Sequence, residues 1–433
     1  MERILIRADY LLPGGENWDT IRDAELLIEG EVVSYLGTRR EHPIGGVDRI
    51  IEGKNKLVMP GLINTHTHAA MTLFRGYADD LPLMNWLEQK IWPAEARLNK
   101  DDIYWGTMLA ICEMIRGGTT CFADMYFHMG EVARACLESG IRASLAHGLI
   151  GIDGPQESEK SLQVSRELVS DWHGAGDGLI TVMLGPHAPY TCPPQYLEKV
   201  MTVAGDLKVP IHIHLAETRG EVEECLNKWG KRPIELMDSI GLFANQVLAA
   251  HCVHLSEDEI EMLVKKQVSV AHNPGSNLKL GSGIAPLADL LEQGALVSLG
   301  TDGAASNNNL DMIEEMRLAA ILAKGFRENP TVIPARDALK MATRNGARSL
   351  FLQDGLGMLR VGSPADLIIL DLNKPHFHPF HDLCAHIVYA AAAADVEFVM
   401  VKGRILMEQR KLLTIDEEKV LQEANERAIR LTQ

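Results

Sequence analysis

Eight short apolar runs, nearly every one closing on a histidine, an aspartate or a glutamate, constrain this chain more than any other feature. They are VMPGLINTH (58–66), TTCFADM (119–125), RASLAHGL (142–149), ITVMLGPH (180–187), PIHIHLAE (210–217), QVLAAHCVH (246–254), VSVAHN (268–273) and LVSLGTD (296–302). Longer stretches with helical spacing separate them, among them IYWGTMLAICEMIR (103–116) and EDEIEMLVKKQ (257–267). Alternating strands and helices with eight strands predict an α/β chain closed into a (β/α)8 TIM-type barrel. Barrel sites lie at the carboxyl ends of the strands, so the polar residues that end these runs converge on one mouth. An apolar strand has no packing reason to finish in this way.

The two ends of the chain have a different texture. Residues 1–57 read as short β-branched runs broken by glycine and asparagine, and the texture returns in ADLIILDL (365–372) and VEFVMVKGRIL (396–406). The reading is a small β-sandwich domain formed from 1–57 plus 356–410, a barrel over 58–355, and a C-terminal helix within 411–433. A length of 433 residues accommodates a barrel of roughly 250 residues or more and such a satellite.

The net charge of −17 repels phosphate backbones and anionic lipid, which argues against nucleic acid and membranes as partners. No run approaches the roughly 18 apolar residues of a membrane span, and the opening MERILIRADYLLPGG lacks the apolar core of a signal peptide. Seven cysteines are scattered without a C-x-x-C pair, the pattern of a reducing compartment; the expectation is cytoplasmic. The same scatter excludes the H-x-E plus P-C-x-x-C zinc site of polynucleotide deaminases. Barrel enzymes often pair, so a homo-oligomer is open.

His66 and His68 are two apart at the end of the first run and share a face; His214 ends the fifth run and Asp302 the eighth. Three imidazoles and one carboxylate hold one divalent metal and leave a position for water, as a catalytic site requires. Zinc is the expected ion, although iron and manganese suit the same donors. His212 lies one layer below His214 and reads as core or as a support. His254, His272, His376, His378, His381 and His386 have no comparable placement.

The segments Pro60–His68, HNPGSNLKLGSGIAP (272–286), LGTDGAASNN (299–308) and GSPADLIILDL (362–372) together resemble the amidohydrolase superfamily. Within it, FRGYADDLPLMNWLEQKIWPAE (74–95) resembles the 5′-methylthioadenosine/S-adenosylhomocysteine deaminases. The resemblance spans essentially the whole chain and implies the same metal ligands. Where binuclear superfamily members carry a bridging lysine, this chain has Gly185-Pro186-His187, which implies a single metal and favours ring deamination.

The expected activity is therefore hydrolytic deamination of an adenosine-type nucleoside: 5′-methylthioadenosine, S-adenosylhomocysteine, 5′-deoxyadenosine or adenosine. Asp302 can take a proton from the attacking water. Glu217, three residues after His214, can serve the ring nitrogen, and His251 can steady the tetrahedral centre. By resemblance, Glu95 holds the ribose hydroxyls and His187 hydrogen-bonds the substrate. Trp86 can flank the 5′ substituent. His147 stands where some family members place an arginine, which could pair with an amino-acid carboxylate; without it, S-adenosylhomocysteine is the least favoured of the four. The alternative on the same scaffold is hydrolysis of a free base or an s-triazine, as by a guanine deaminase or a chlorohydrolase.

Overall fold

The computed structural model describes residues 2–16, 18–40, 45–81 and 83–433; Pro82, within the 74–95 segment, lies outside the described residues. The chain forms β1 (Arg3–Leu11), β2 (Ile21–Glu29), β3 (Val32–Thr38), β4 (Arg49–Pro60), β5 (Leu62–Thr67), β6 (Thr119–Tyr126), β7 (Arg142–Leu149), β8 (Ile180–Pro186), β9 (Ile211–Leu215), β10 (Val247–His251), β11 (Ser269–His272), β12 (Leu296–Leu299), β13 (Leu367–Asp371), β14 (Val396–Val401), β15 (Arg404–Glu408) and β16 (Lys411–Leu412). They fall into two sheets of eight.

Strands β5 to β12 lie side by side in chain order, and their paired neighbours run parallel. Each of the eight apolar runs supplies one of them. All eight residues of β6 are buried, as expected of a parallel strand covered on both faces. The seam between β12 and β5 is closed by side chains. Thr65 Oγ1 donates to the Leu299 carbonyl at 2.9 Å, Asn64 Nδ2 reaches Thr301 Oγ1 at 2.7 Å, and Asn64 Oδ1 accepts from the Thr301 amide at 3.0 Å. A Cβ on Gly300 would lie 2.8 Å from the His66 backbone nitrogen, so only glycine allows the two edges to approach this closely.

Small side chains such as Ala123, Ala146, Ala250 and Ala271 point into the barrel, and Ala347, Leu350 and Leu356 pack with them. The opposite, carboxyl-end mouth is left to polar residues. A larger core of Ile, Leu, Val and Met lies between the barrel and its surrounding helices.

The second sheet is mixed, in the order β16-β15-β14-β13-β4-β1-β2-β3, with β1 and β4 parallel and the remaining pairs antiparallel. Its own core joins Ile4, Ile6, Leu26 and Ile28 from one chain end to Leu367, Ile369, Phe398 and Met400 from the other. Val58–Pro60, read from sequence as the start of the first barrel run, instead pair with Leu367–Ile369 in this sheet. The chain crosses from one sheet to the other at Gly61, where a Cβ would sit 2.1 Å from Thr120 Oγ1. At the far end, Lys411–Leu412 pair with β15, and the helix runs over Glu417–Thr432, capped by Asp416. No helix among the described residues is long and apolar enough to cross a membrane.

Candidate metal centre and substrate cavity

Four side chains from three strand ends meet above the barrel axis. Asp302 Oδ1 lies 3.4 Å from His66 Nε2 and 3.2 Å from His68 Nε2, and His214 Nε2 lies 3.4 Å from His68 Nε2. A tetrahedral ion with bonds of about 2.0–2.1 Å needs donors about 3.3–3.4 Å apart, and these separations meet it. His66 is fully buried, and its Nε2 has no hydrogen-bond partner among the described residues. A buried orphan of this kind is costly unless something else binds it.

The remaining atoms of the donor set are each held in place. His68 Nδ1 lies 2.6 Å from the Met125 carbonyl, His214 Nδ1 2.7 Å from the His187 carbonyl, and His66 Nδ1 2.8 Å from His212 Nε2. Two backbone oxygens can only accept, so His68 and His214 each carry a proton on Nδ1 and turn Nε2 to the centre. Asp302 Oδ2 accepts from Ser276 Oγ at 2.6 Å and Ser306 Oγ at 2.9 Å, while Oδ1 accepts from the Gly303 amide at 2.8 Å. The residues present therefore fit a divalent metal.

The electrostatics agree. Burial pushes the Asp302 carboxyl up, but the His66 and His68 imidazoles against it outweigh that and hold the group well below the carboxylate range. Burial pushes His68 down, yet Asp302 overrides it and the balance lies at about 9. Burial alone dominates at His66, about 4, and at His187, about 3. The Asp302 anion thus draws positive charge to this centre, where a metal would take the place of a proton on His68.

Three of the non-glycine residues with left-handed backbone lie at this site. Ala216, His251 and Asp302 adopt positive φ values of 52°, 72° and 63°. Outside glycine such conformations cost roughly 1–3 kcal/mol each and persist where surrounding structure fixes them. Here they turn the chain sharply at the ends of β9, β10 and β12.

A cavity of about 310 Å³ opens over this centre. His68, His214 and Asp302 line it together with Glu217, His251, His187, Glu95 and Trp86. Glu217 is buried, which raises its pKa; its Oε2 lies 3.8 Å from His251 Nε2 and its Oε1 3.4 Å from Ser282 Oγ. Asn277 Oδ1 accepts from His251 Nδ1 at 2.8 Å, turning His251 Nε2 toward the cavity. Tyr126 donates its hydroxyl to Glu95 Oε1 at 2.5 Å, and burial raises the Glu95 pKa. Phe127, Ile150, Ile152 and Asp153 also contribute to the wall, and no lysine or arginine is among the described residues lining it.

His147 differs from the other residues named from the sequence. It is absent from the cavity wall, where its neighbour Gly148 stands instead. Its ring packs beside Phe127, and Nε2 reaches Ser161 Oγ at 3.1 Å. The cause is alternation along β7: Ala146 packs inside the barrel, so His147 faces the surrounding helices.

The amidohydrolase family pattern matches residues 57–406. A 5-methylthioadenosine/S-adenosylhomocysteine deaminase of Syntrophomonas wolfei is 55% identical over 430 residues, covering 99% of each chain. One of Dictyoglomus thermophilum is 58% identical over 385 residues, covering 89% of this chain and 90% of its own. This chain belongs to the amidohydrolase family, among its 5-methylthioadenosine/S-adenosylhomocysteine deaminases. A crystal structure of an adenosine deaminase from Xanthomonas campestris with bound zinc superposes on this amidohydrolase with a TM-score of 0.93, at 36% identity, over 99% of this chain and 98% of the other. A divalent metal accords with this membership and with the donor set.

Sequence reasoning found one of the residues that hold the site, His212, and left out the others. Ser276, Asn277 and Ser282 lie in the 272–286 segment and Ser306 in 299–308, both quoted above only for their family likeness. The signal was present: a run of small hydrogen-bonding residues directly after β11 and β12 has donors and acceptors to spend on whatever converges there. Tyr126 gave no such signal, since it stands in an otherwise ordinary strand.

Proposed function

We propose that this amidohydrolase hydrolytically deaminates 5′-substituted adenosines, with 5′-methylthioadenosine favoured, releasing ammonia and the inosine analogue. One observation carries the reading: a single cavity brings the metal-type donors together with Glu217, His251 and the ribose-type acceptor Glu95. His66, His68, His214 and Asp302 would hold the ion, and zinc is the ion we assign. When bound, it supplies Lewis acidity that brings a water's pKa toward neutrality.

The chain's own groups account for the proton steps. Asp302 accepts the proton of the attacking water. Glu217 begins protonated, a state that burial extends to higher pH than for a free glutamate, and it gives its proton to the ring nitrogen beside C6. His251, its Nδ1 proton held by Asn277, turns Nε2 toward C6 and accepts a hydrogen bond from the attacking water, which orients it and steadies the hydroxyl of the tetrahedral centre. The C6–O bond forms, the C6–N bond breaks, the amino group leaves as ammonia with the proton Asp302 had taken, and the C6 hydroxyl gives up its proton to restore Glu217 as the carbonyl forms.

The Glu95 carboxylate, steadied by Tyr126, accepts the ribose hydroxyls, and Trp86 and His187 contribute to the wall around the nucleoside. Toward the 5′ substituent the available lining is Phe127, Ile150, Ile152 and Asp153, which supports a neutral thioether over a homocysteine carboxylate. A cytoplasmic setting accords with seven cysteines that are all buried and unpaired.

The test is ammonia release from 5′-methylthioadenosine, 5′-deoxyadenosine, adenosine, S-adenosylhomocysteine and free adenine by purified, metal-analysed protein. The expected order places 5′-methylthioadenosine first and leaves adenine untouched. Turnover of adenine as fast as of its nucleosides would overturn the reading.

A further inference from the structure

Glu217 has a position that its own side chain does not explain. Its nearest polar neighbours are Ser282 Oγ at 3.4 Å and His251 Nε2 at 3.8 Å, both too long to fix a carboxyl group. What holds it is its backbone. After β9 ends at Leu215, the chain reverses at Ala216 with φ 52° and enters the helix Arg219–Trp229, capped by Thr218. From the first turn of that helix, buried Glu221 reaches back: its Oε1 accepts from the Ala216 amide at 2.8 Å and its Oε2 from the Glu217 amide at 2.8 Å.

An acid at this position of a helix ordinarily bonds the amide of the capping residue itself. Here it bypasses Thr218 and takes the two amides before it, which belong to the loop and not to the helix. The helix still receives its cap separately, through Thr218 Oγ1, which accepts from the Glu221 amide at 3.1 Å. Glu221 forms no ion pair among the described residues, so these two amides are what compensates its burial.

We propose that Glu221 is a positioning residue for deamination: by binding the Ala216 and Glu217 amides with both carboxylate oxygens, it fixes the strained turn that points Glu217 at the purine. The inference rests on the acid role proposed for Glu217. Burial raises the Glu221 pKa to about 7, in keeping with a carboxyl group that has only amides to compensate it.

The Glu221→Gln variant keeps one acceptor oxygen and sets an NH2 against the second amide. We expect kcat for 5′-methylthioadenosine to fall 10- to 100-fold, with KM within threefold and zinc content unchanged. Thr218→Ala is the control: it removes the helix cap and leaves both loop bonds, so it should lower the melting temperature yet keep kcat within twofold. In a Glu217→Gln background, Glu221→Gln should add less than a twofold loss, since the group it aims is already gone. Independent, multiplying losses, or a kcat effect of Thr218→Ala matching that of Glu221→Gln, would overturn the proposal. Full activity of Glu217→Gln alone would instead remove Glu217 from the acid role and leave the Glu221 results to be read separately.

Discussion

Replacing His212 by leucine tests how far the metal centre depends on a residue that never touches the ion. His66 presents Nε2 to the centre, so its proton belongs on Nδ1 and is donated to His212 Nε2, 2.8 Å away. Burial holds His212 well below the usual histidine range, so it stays neutral and can accept. Leucine fills a comparable volume without opening a large cavity, and isolates the hydrogen bond from packing loss. Loss of such a partner typically weakens metal binding about 10- to 100-fold. That corresponds to about 1.4–2.8 kcal/mol, within the roughly 1–3 kcal/mol expected for stranding a buried donor. Competition against a chelator of known zinc affinity measures it directly. The variant should bind zinc 10- to 100-fold more weakly and recover a kcat within a few-fold of wild type at saturating metal. His212→Gln, which restores an acceptor oxygen, should recover most of the affinity. An unchanged zinc affinity in His212→Leu, or a kcat deficit that excess zinc does not repair, would refute the reasoning.

Glu217→Gln should retain its metal and lose about 10²- to 10⁴-fold in kcat, the range for a general acid; wild-type turnover in a metal-replete sample would exclude the assigned role. Glu95→Ala should raise KM for nucleosides roughly 10- to 100-fold, since charge-assisted hydrogen bonds are worth about 1.5–3 kcal/mol each; an unaltered KM would remove the ribose contact. Glu315 should make stability fall with rising pH. Buried, with the Gly275 amide and Asn307 Nδ2 as its donors among the described residues, it is pushed by burial from 4.5 up to about 8. The folded protein therefore binds a proton that the unfolded chain has already released between pH 4.5 and 8, and the stabilisation is lost as pH rises through that window. Melting temperatures across pH 5–8.5 should decline, and the slope should be shallower in Glu315→Gln.

Much of the barrel was legible because its rules act locally. A parallel strand buried on both faces must be apolar along its length, so a polar residue at its end stands out, and His66, His68, His214 and Asp302 were visible for that reason. What was not legible depended on one more fact than the pattern contains. His147 sits at a strand end like the others, but whether it looks inward depends on the phase of β7, and Ala146 takes the inward position. Val58–Pro60 are as apolar as the strand that follows, and only pairing with Leu367–Ile369, some 300 residues away, assigns them to the other sheet. The edge strand Lys411–Leu412 is two residues long, too short for any periodicity to register.

Apart from His212, the supports of the site were hidden for a different reason, and it bears on how the centre works. Each donor atom facing the centre is set by a second bond made elsewhere: Met125 and His187 contribute carbonyls, His212 a ring nitrogen, and Ser276 and Ser306 hydroxyls. None of these partners needs a particular spacing to its client, so no motif marks them. Their effect is nevertheless collective. With the ring orientations fixed before any cation arrives, the donor atoms are gathered at 3.2–3.4 Å by the folded frame. A cation entering such a frame has little reorganisation left to drive. The same logic extends to Glu217, whose carboxyl is placed by amides and not by its own contacts. Catalytic geometry in this barrel is therefore carried mainly by residues that never meet the substrate.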